Sequence, residues 1–407
     1  MNAQNAADYP QLFRDMIIRS AEAALASIDP QASTLEEDVR ERSLYALSLA
    51  LDLPDAWPVT RDLLLTLTTS LHWQGYREEW IVYLNRAIGD AETQEDFPAL
   101  AKLYHQLGWF YRALNVWQQA NECLQRAYEL SRRVDGVDIK IDVLDQLSGV
   151  AVESHDFAAA KQYIDEVFAL TEAGDLRRAK SYGRLGYIAL HQGDYENSIF
   201  YYAESIRLHS AAGNLLMAAQ VEEGLAFVYE YSQRPEEALR HFQHVIEVLA
   251  QYPSVLDLAQ TQMEMGLVHV RLHNFEEALE LFRLSEPVFI KTGSRLWLAH
   301  LYNNYGIAYT EKGDYEQAQH FFAIGIQAAR ELDMPLWIAN VMDSQASMFA
   351  KMGRIDDAVA TWRQALAELS VLPDPPQRLY NLIASRIAQA SSVRGNPLLD
   401  SPGQVGV

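Results

Sequence analysis

One spacing constrains this chain more than any other feature. A small residue is followed twelve positions later by a second small residue, and the pair recurs about every forty residues. The first member is Thr68, Gly108, Ser148, Gly186, Ala226, Gly266, Gly306 and Ala346, with successive separations of 40, 40, 38, 40, 40, 40 and 40 residues. The second is Trp80, Ala120, Ala160, Ser198, Ala238, Ala278, Ala318 and Ala358, of which only Trp80 is large. Four residues later stands a large apolar residue: Leu84, Leu124, Ile164, Tyr202, Phe242, Phe282, Phe322 and Trp362. Such a period predicts stacked units, each burying its apolar face on the next.

Within a unit, two stretches carry apolar residues at three- and four-residue spacing, which predicts a pair of helices joined by a short turn. Residues 302–322, YNNYGIAYTEKGDYEQAQHFF, show the pattern and a conflict in it. Gly306 lies inside the first helix, where glycine costs about 1 kcal/mol relative to alanine. Close approach of the partner helix is the expected compensation. The turns are Gly193-Asp194-Tyr195, Gly313-Asp314-Tyr315 and Gly353-Arg354-Ile355, with His155-Asp156-Phe157 and His273-Asn274-Phe275 as variants. Glycine there takes a positive φ, and Asp or Asn can accept from the free N–H groups of the next helix. Gly136, Gly174, Gly213, Pro253, Gly293, Pro335 and the Pro373-Asp374-Pro375 cluster mark the junctions between units.

Composition limits the partners. The 407 residues exceed what one ordinary core holds, near ~250–300 residues. With 55 acidic against 33 basic residues, the net charge of -22 disfavours nucleic acid and anionic membranes. Cys123 is the only cysteine, so neither a disulfide framework nor a cysteine-based zinc site is expected, and a reducing cytoplasm fits. The opening MNAQNAADYPQLFRDM lacks a basic stretch followed by an apolar one, and no run approaches a membrane span; the expectation is a soluble, cytoplasmic protein.

The chain resembles the tetratricopeptide repeat family, whose unit reads LG..Y and then GDY..A...F. Residues 305–322 give YG..Y followed by GDY..A...F, and residues 107–111 give LG..Y. The unit is 40 residues rather than the common 34, which is similar to the branch of peptide-pheromone receptors, kinesin light chain and sensor regions of bacterial signalling ATPases. The resemblance implies an all-α fold, a right-handed α-solenoid of about eight helix-turn-helix units whose first helices line a concave groove. Residues 1–55 then form capping helices (10–28 and 35–53, with Asp29-Pro30 and Ser33-Thr34 between them) or a small docking module. Residues 56–376 hold the eight units, 377–393 a C-terminal capping helix, and 394–407 a disordered tail.

Catalytic signatures are missing. No phosphate-binding G-x-x-x-x-G-K, no G-x-S-x-G and no H-E-x-x-H occurs. His241 and His244 share a helix face without a ligand at metal spacing in the sequence. Of the acidic pairs Glu222-Glu223, Glu236-Glu237 and Glu276-Glu277, two fall in the first turn of a helix, where they favour the dipole. Trp297, Trp337 and Cys123 read as packing.

The groove remains. One register of the first helices is polar in nearly every unit: Thr66, Gln106, Gln146, Arg184, Gly224, Glu264, Asn304 and Ser344. Beside it lie Lys102, His105, Trp109 and Arg112, then Lys180, Tyr187 and His191, then Glu223 and Glu230, then His300, Asn303, Asn340 and Asp343. The order is basic and aromatic, then acidic, then amide-rich. Lys180 and Arg184 match residues that clamp a peptide carboxylate in chaperone-binding members of the family, whereas His105 and Trp109 replace the lysine and asparagine expected two units earlier. The expected binding face is therefore Lys102, His105, Gln106, Trp109, Arg112, Gln146, Lys180, Arg184, Tyr187, His191, Asn303, Asn304 and Asn340.

The expected function is a non-catalytic scaffold that binds a protein or an extended peptide, including one with an acidic or carboxylate-bearing segment. The alternative is a ligand-switched signalling regulator resembling peptide-pheromone receptors or the sensor part of a signalling ATPase system. No cofactor, metal, nucleic acid or membrane is expected, and self-association is left open.

Overall fold

A computed structural model describes residues 3–29, 34–134, 136–372 and 376–393. The junction at 373–375, residues 30–33 and the expected tail at 394–407 lie outside the described residues. Contacts divide the chain into two units, Met1–Gln192 and Gly193–Val407.

The described residues are helical, with no strand among them. In the first unit α1 (Ala3–Ala26) and α2 (Glu37–Ala50) precede α3 (Trp57–Trp73) and α4 (Arg77–Thr93). Then come α5 (Phe97–Ala113), α6 (Trp117–Ser131), α7 (Asp138–Glu153), α8 (Phe157–Leu170) and α9 (Arg178–His191). The second unit holds α10 (Tyr195–Ala211), α11 (Leu215–Tyr231), α12 (Pro235–Leu249), α13 (Val255–Arg271) and α14 (Phe275–Lys291). It continues with α15 (Arg295–Lys312), α16 (Tyr315–Glu331), α17 (Pro335–Lys351), α18 (Ile355–Leu369) and α19 (Gln377–Val393). Both α1 and α2 pack on α3, and α19 packs on α18.

The repeat register is the core. Every second member of the small pair, from Trp80 to Ala358, is at most 1% exposed, and the large residues four positions on are buried with them. Trp80 is tolerated because its indole N–H donates to the hydroxyl of Thr68, its own first member, at 3.1 Å. A polar first member thus satisfies the one large second member.

The turns follow the expected chemistry with one difference. Asp96, Asp156, Asp194 and Asp314 cap α5, α8, α10 and α16 by accepting from the backbone N–H three residues on. Asn274 makes no such side-chain bond to α14. Gly193, Gly313 and Gly353 take positive φ, as do His155 (59°) and His273 (61°) where glycine is replaced.

Candidate functional site

In the first unit, the first-helix residues of α5, α7 and α9 form one linked network. On α5, Lys102 is exposed, whereas Gln106 is engaged: its side-chain oxygen accepts from Thr68 at 2.8 Å. Trp109 stacks on the His72 ring with centroids 3.8 Å apart. Burial holds the His105 imidazole down at about 4, so it is neutral near pH 7 and adds no positive charge to this face. Its Nε2 is buried without a hydrogen-bond partner.

Arg112 reaches from α5 to α7, donating to Gln146 Oε1 at 2.9 Å and to Glu153 Oε1 at 2.6 Å. From α9, Arg184 donates to Asp145 Oδ1, and Lys180 lies 3.5 Å from Asp145 Oδ2. Burial alone would raise the Asp145 carboxyl; the adjacent Arg184 and Lys180 overcome it and hold the group at about 2. The Tyr187 and His191 rings meet at a tilt of 33° with centroids 4.0 Å apart, and His191 is exposed.

The sequence reading gave this face cations and aromatics without the acids that balance them. Asp145, Gly149 and Glu153 were missed, yet the register held a signal for two of them. Forty residues after His105 and Trp109 stand Asp145 and Gly149.

In the second unit α11 and α13 bring carboxylates together. Glu223 accepts from the Thr261 hydroxyl at 2.8 Å, and Glu230 pairs with Arg271. Burial, with the charges of Glu230 and Glu223, pushes the Glu264 carboxyl up to about 8. Glu222 receives His241 and His244 on its two oxygens at 2.8 and 2.7 Å. That partner comes from the other helix of the pair, which spacing along α12 could not reveal. Among the described residues, no group of three His, Cys, Asp or Glu side chains is arranged to hold a metal ion.

On α15, Asn304 is buried at 7% exposure, while Asn303 Oδ1 and His300 Nε2 are buried without partners. The His300 ring lies 3.6 Å from that of Trp337 on α17, and burial holds it neutral, at about 4. Asn340, forty residues after His300, is half-buried on α17. Asp343 accepts both contacts from Arg386 of α19 at 2.6 Å, so its charge is used in holding that helix. Cys123 is half-buried, and burial pushes its thiol up to about 11, far from a reactive thiolate.

Models of the tetratricopeptide repeat match residues 100–138, 177–251 and 257–331. No curated protein matches the chain in sequence. Solved structures share the fold at low identity. A Rap protein complexed with competence and sporulation factor aligns with TM-score 0.60 and 12% identity, covering 92% of this chain and 97% of its own. The apo quorum sensor NprR from B. thuringiensis gives 0.58 and 15%, over 80% of this chain and 93% of its own. A signal transduction ATPase with numerous domains and a tetratricopeptide repeat sensor, from Pyrococcus horikoshii, gives 0.59 and 11%. That likeness covers 94% of this chain and 60% of the ATPase chain.

Proposed function

We propose that this chain, a tetratricopeptide-repeat protein, is a non-catalytic module that binds an extended segment of a protein or peptide along its first helices. The observation that carries the reading is a set of buried hydrogen-bonding atoms without partners on those helices: His105 Nε2 in the first unit, His300 Nε2 and Asn303 Oδ1 in the second. Buried polar atoms are normally paired, and an extended backbone offers the N–H and C=O groups that would pair these. Lys102 and Lys180, both exposed, favour an acidic or carboxylate-bearing segment in the first unit.

The test is affinity capture from the native cell followed by calorimetry of the captured partner. Lys102→Ala, on a first helix, should weaken binding about threefold or more, and more so at low salt. Lys161→Ala, on the second helix α8, should not. Equal effects of the two would reject the first-helix face.

A second reading is a ligand-switched regulator. It is favoured by Asn303, Asn304 and Asn340, and by the likeness in fold to NprR and to a Rap protein solved with competence and sporulation factor. In that reading α1 and α2 are the output element. A peptide that binds the second unit should then change hydrogen exchange in α1 and α2; unchanged exchange there would leave only the scaffold.

A further inference from the structure

The first unit holds a cavity of about 210 Å³ where α2 ends, α3 begins and α4 ends. Leu51, Leu53 and Trp57 form its apolar side, and Asp52, Arg86 and Asp90 its charged one. The volume lies below the ~300–1,000 Å³ of drug-sized sites, which suits a small ligand.

The apolar side is held in place. Leu51 and Trp57 are buried, and the Trp57 indole N–H donates to Asp96 Oδ2 at 3.0 Å, an oxygen that Arg61 also holds at 3.1 Å. The neutral polar groups are already engaged, since the Thr60 and Thr93 hydroxyls donate to the carbonyls of Ala56 and Gly89 at 2.9 and 3.0 Å. Arg86 donates to Asp52. Asp90 is half-buried, and among the described residues no donor reaches its carboxylate. Burial raises that carboxyl; Arg86 lowers it, Asp52 raises it again, and the balance stays above the ordinary 3.8.

Two carboxylates thus face one guanidinium. The backbone leans the same way: α2 and α4 bring their negative C-terminal ends to the cavity, whereas α3 alone brings a positive N-terminal end. Side chains and helix ends together leave a negative potential beside an apolar wall, with Asp90 as the acceptor that lacks a donor.

We infer that this cavity binds a small primary amine, its ammonium donating to Asp90 and its alkyl chain lying on Leu51, Leu53 and Trp57. An ammonium supplies both the positive charge and the donors that the cavity lacks. Its chain gains apolar contact with each methylene, so affinity should rise from butylamine to hexylamine. The site is separate from the first-helix face, and neither depends on the other.

The test is calorimetry of the full chain with n-hexylamine, hexan-1-ol and hexanoate at about 150 mM salt, where exposed charges are screened. The amine should bind at least about tenfold more tightly than the alcohol, and hexanoate should not bind. Asp90→Asn should weaken the amine about tenfold, and Asp52→Asn, at an exposed position, should weaken it in the same sense. Arg86→Gln, which removes the competing cation, should tighten it about threefold or more. Glu78→Gln, exposed on α4 and outside the cavity, controls for attraction to the net charge of -22 and should change nothing. Nα-acetyl-lysine methylamide, whose ammonium is carried on a peptide backbone, should bind more weakly than hexylamine. Equal or tighter binding of it would assign the cavity to a partner's lysine and overturn the small-ligand assignment. Equal affinity for amine and alcohol, preference for hexanoate, equal effects of Asp90→Asn and Glu78→Gln, or no heat with millimolar hexylamine each overturn the site.

Discussion

Gly306 lies directly under the ring of Phe322, sixteen residues on in the partner helix of its own repeat. A Cβ on Gly306 would fall 2.4 Å from Phe322 Cε1 and 2.5 Å from Cδ1. Gly266 stands in the same relation to Phe282 at 2.5 Å, and Gly108 to Leu124 at 2.6 Å. The helix interior accepts glycine here because the large residue of the partner helix fills its place.

Gly306→Leu should therefore lower stability by about 1–3 kcal/mol, the range for overpacked cores. Gly89→Ala on α4 is the control: nothing lies within 4 Å of its Cβ position, so the helix should gain up to about 1 kcal/mol. Thermal melts of both variants check the pair of signs.

Period and turn chemistry were legible from the sequence because they are local. The interval from Gly306 to Phe322 repeats in every unit, and the Asp194 and Asp314 caps need only the next three residues. The pairings on the first-helix face were not legible, because they join helices 34 to 43 residues apart through long side chains. Arg112 with Gln146, Arg184 with Asp145 and Arg386 with Asp343 each depend on crossing geometry rather than on period. The face read as basic in sequence is therefore a mixed-charge network in the structure.

Arg184→Ala should cost about 1–3 kcal/mol, because it leaves Asp145, 14% exposed, with only the longer contact to Lys180. Asp145→Asn combined with Arg184→Ala should recover part of that loss. A double-mutant cycle in urea measures it, and additive single effects would deny the coupling.

Glu264 sets a pH dependence of definite sign. Its folded value of about 8 lies above the ordinary 4.5, so the folded chain keeps a proton that the unfolded chain releases. The contribution is intact below pH 4.5 and is lost as pH rises toward 8. Glu264→Gln should match the parent near pH 4 and be the more stable of the two at pH 8.5. Denaturant midpoints at the two pH values decide it.

Gln233 holds φ at 60° in the α11–α12 turn and is exposed. A left-handed conformation costs an L-residue about 1–2 kcal/mol, and glycine removes most of that cost while making the unfolded chain looser. Gln233→Gly should raise the melting temperature by a few degrees; a fall would mean the side chain contributes a contact of its own.

The central claim is that partners bind along the first helices. Hydroxyl-radical footprinting of the captured complex tests it most directly. The account predicts protection of Trp109, Tyr187 and His191 in the first unit or of His300 and Trp337 in the second, with Val82 and Phe200, 68% and 55% exposed on second helices, unchanged. Protection of Val82 and Phe200 with the first-helix aromatics left reactive would contradict it.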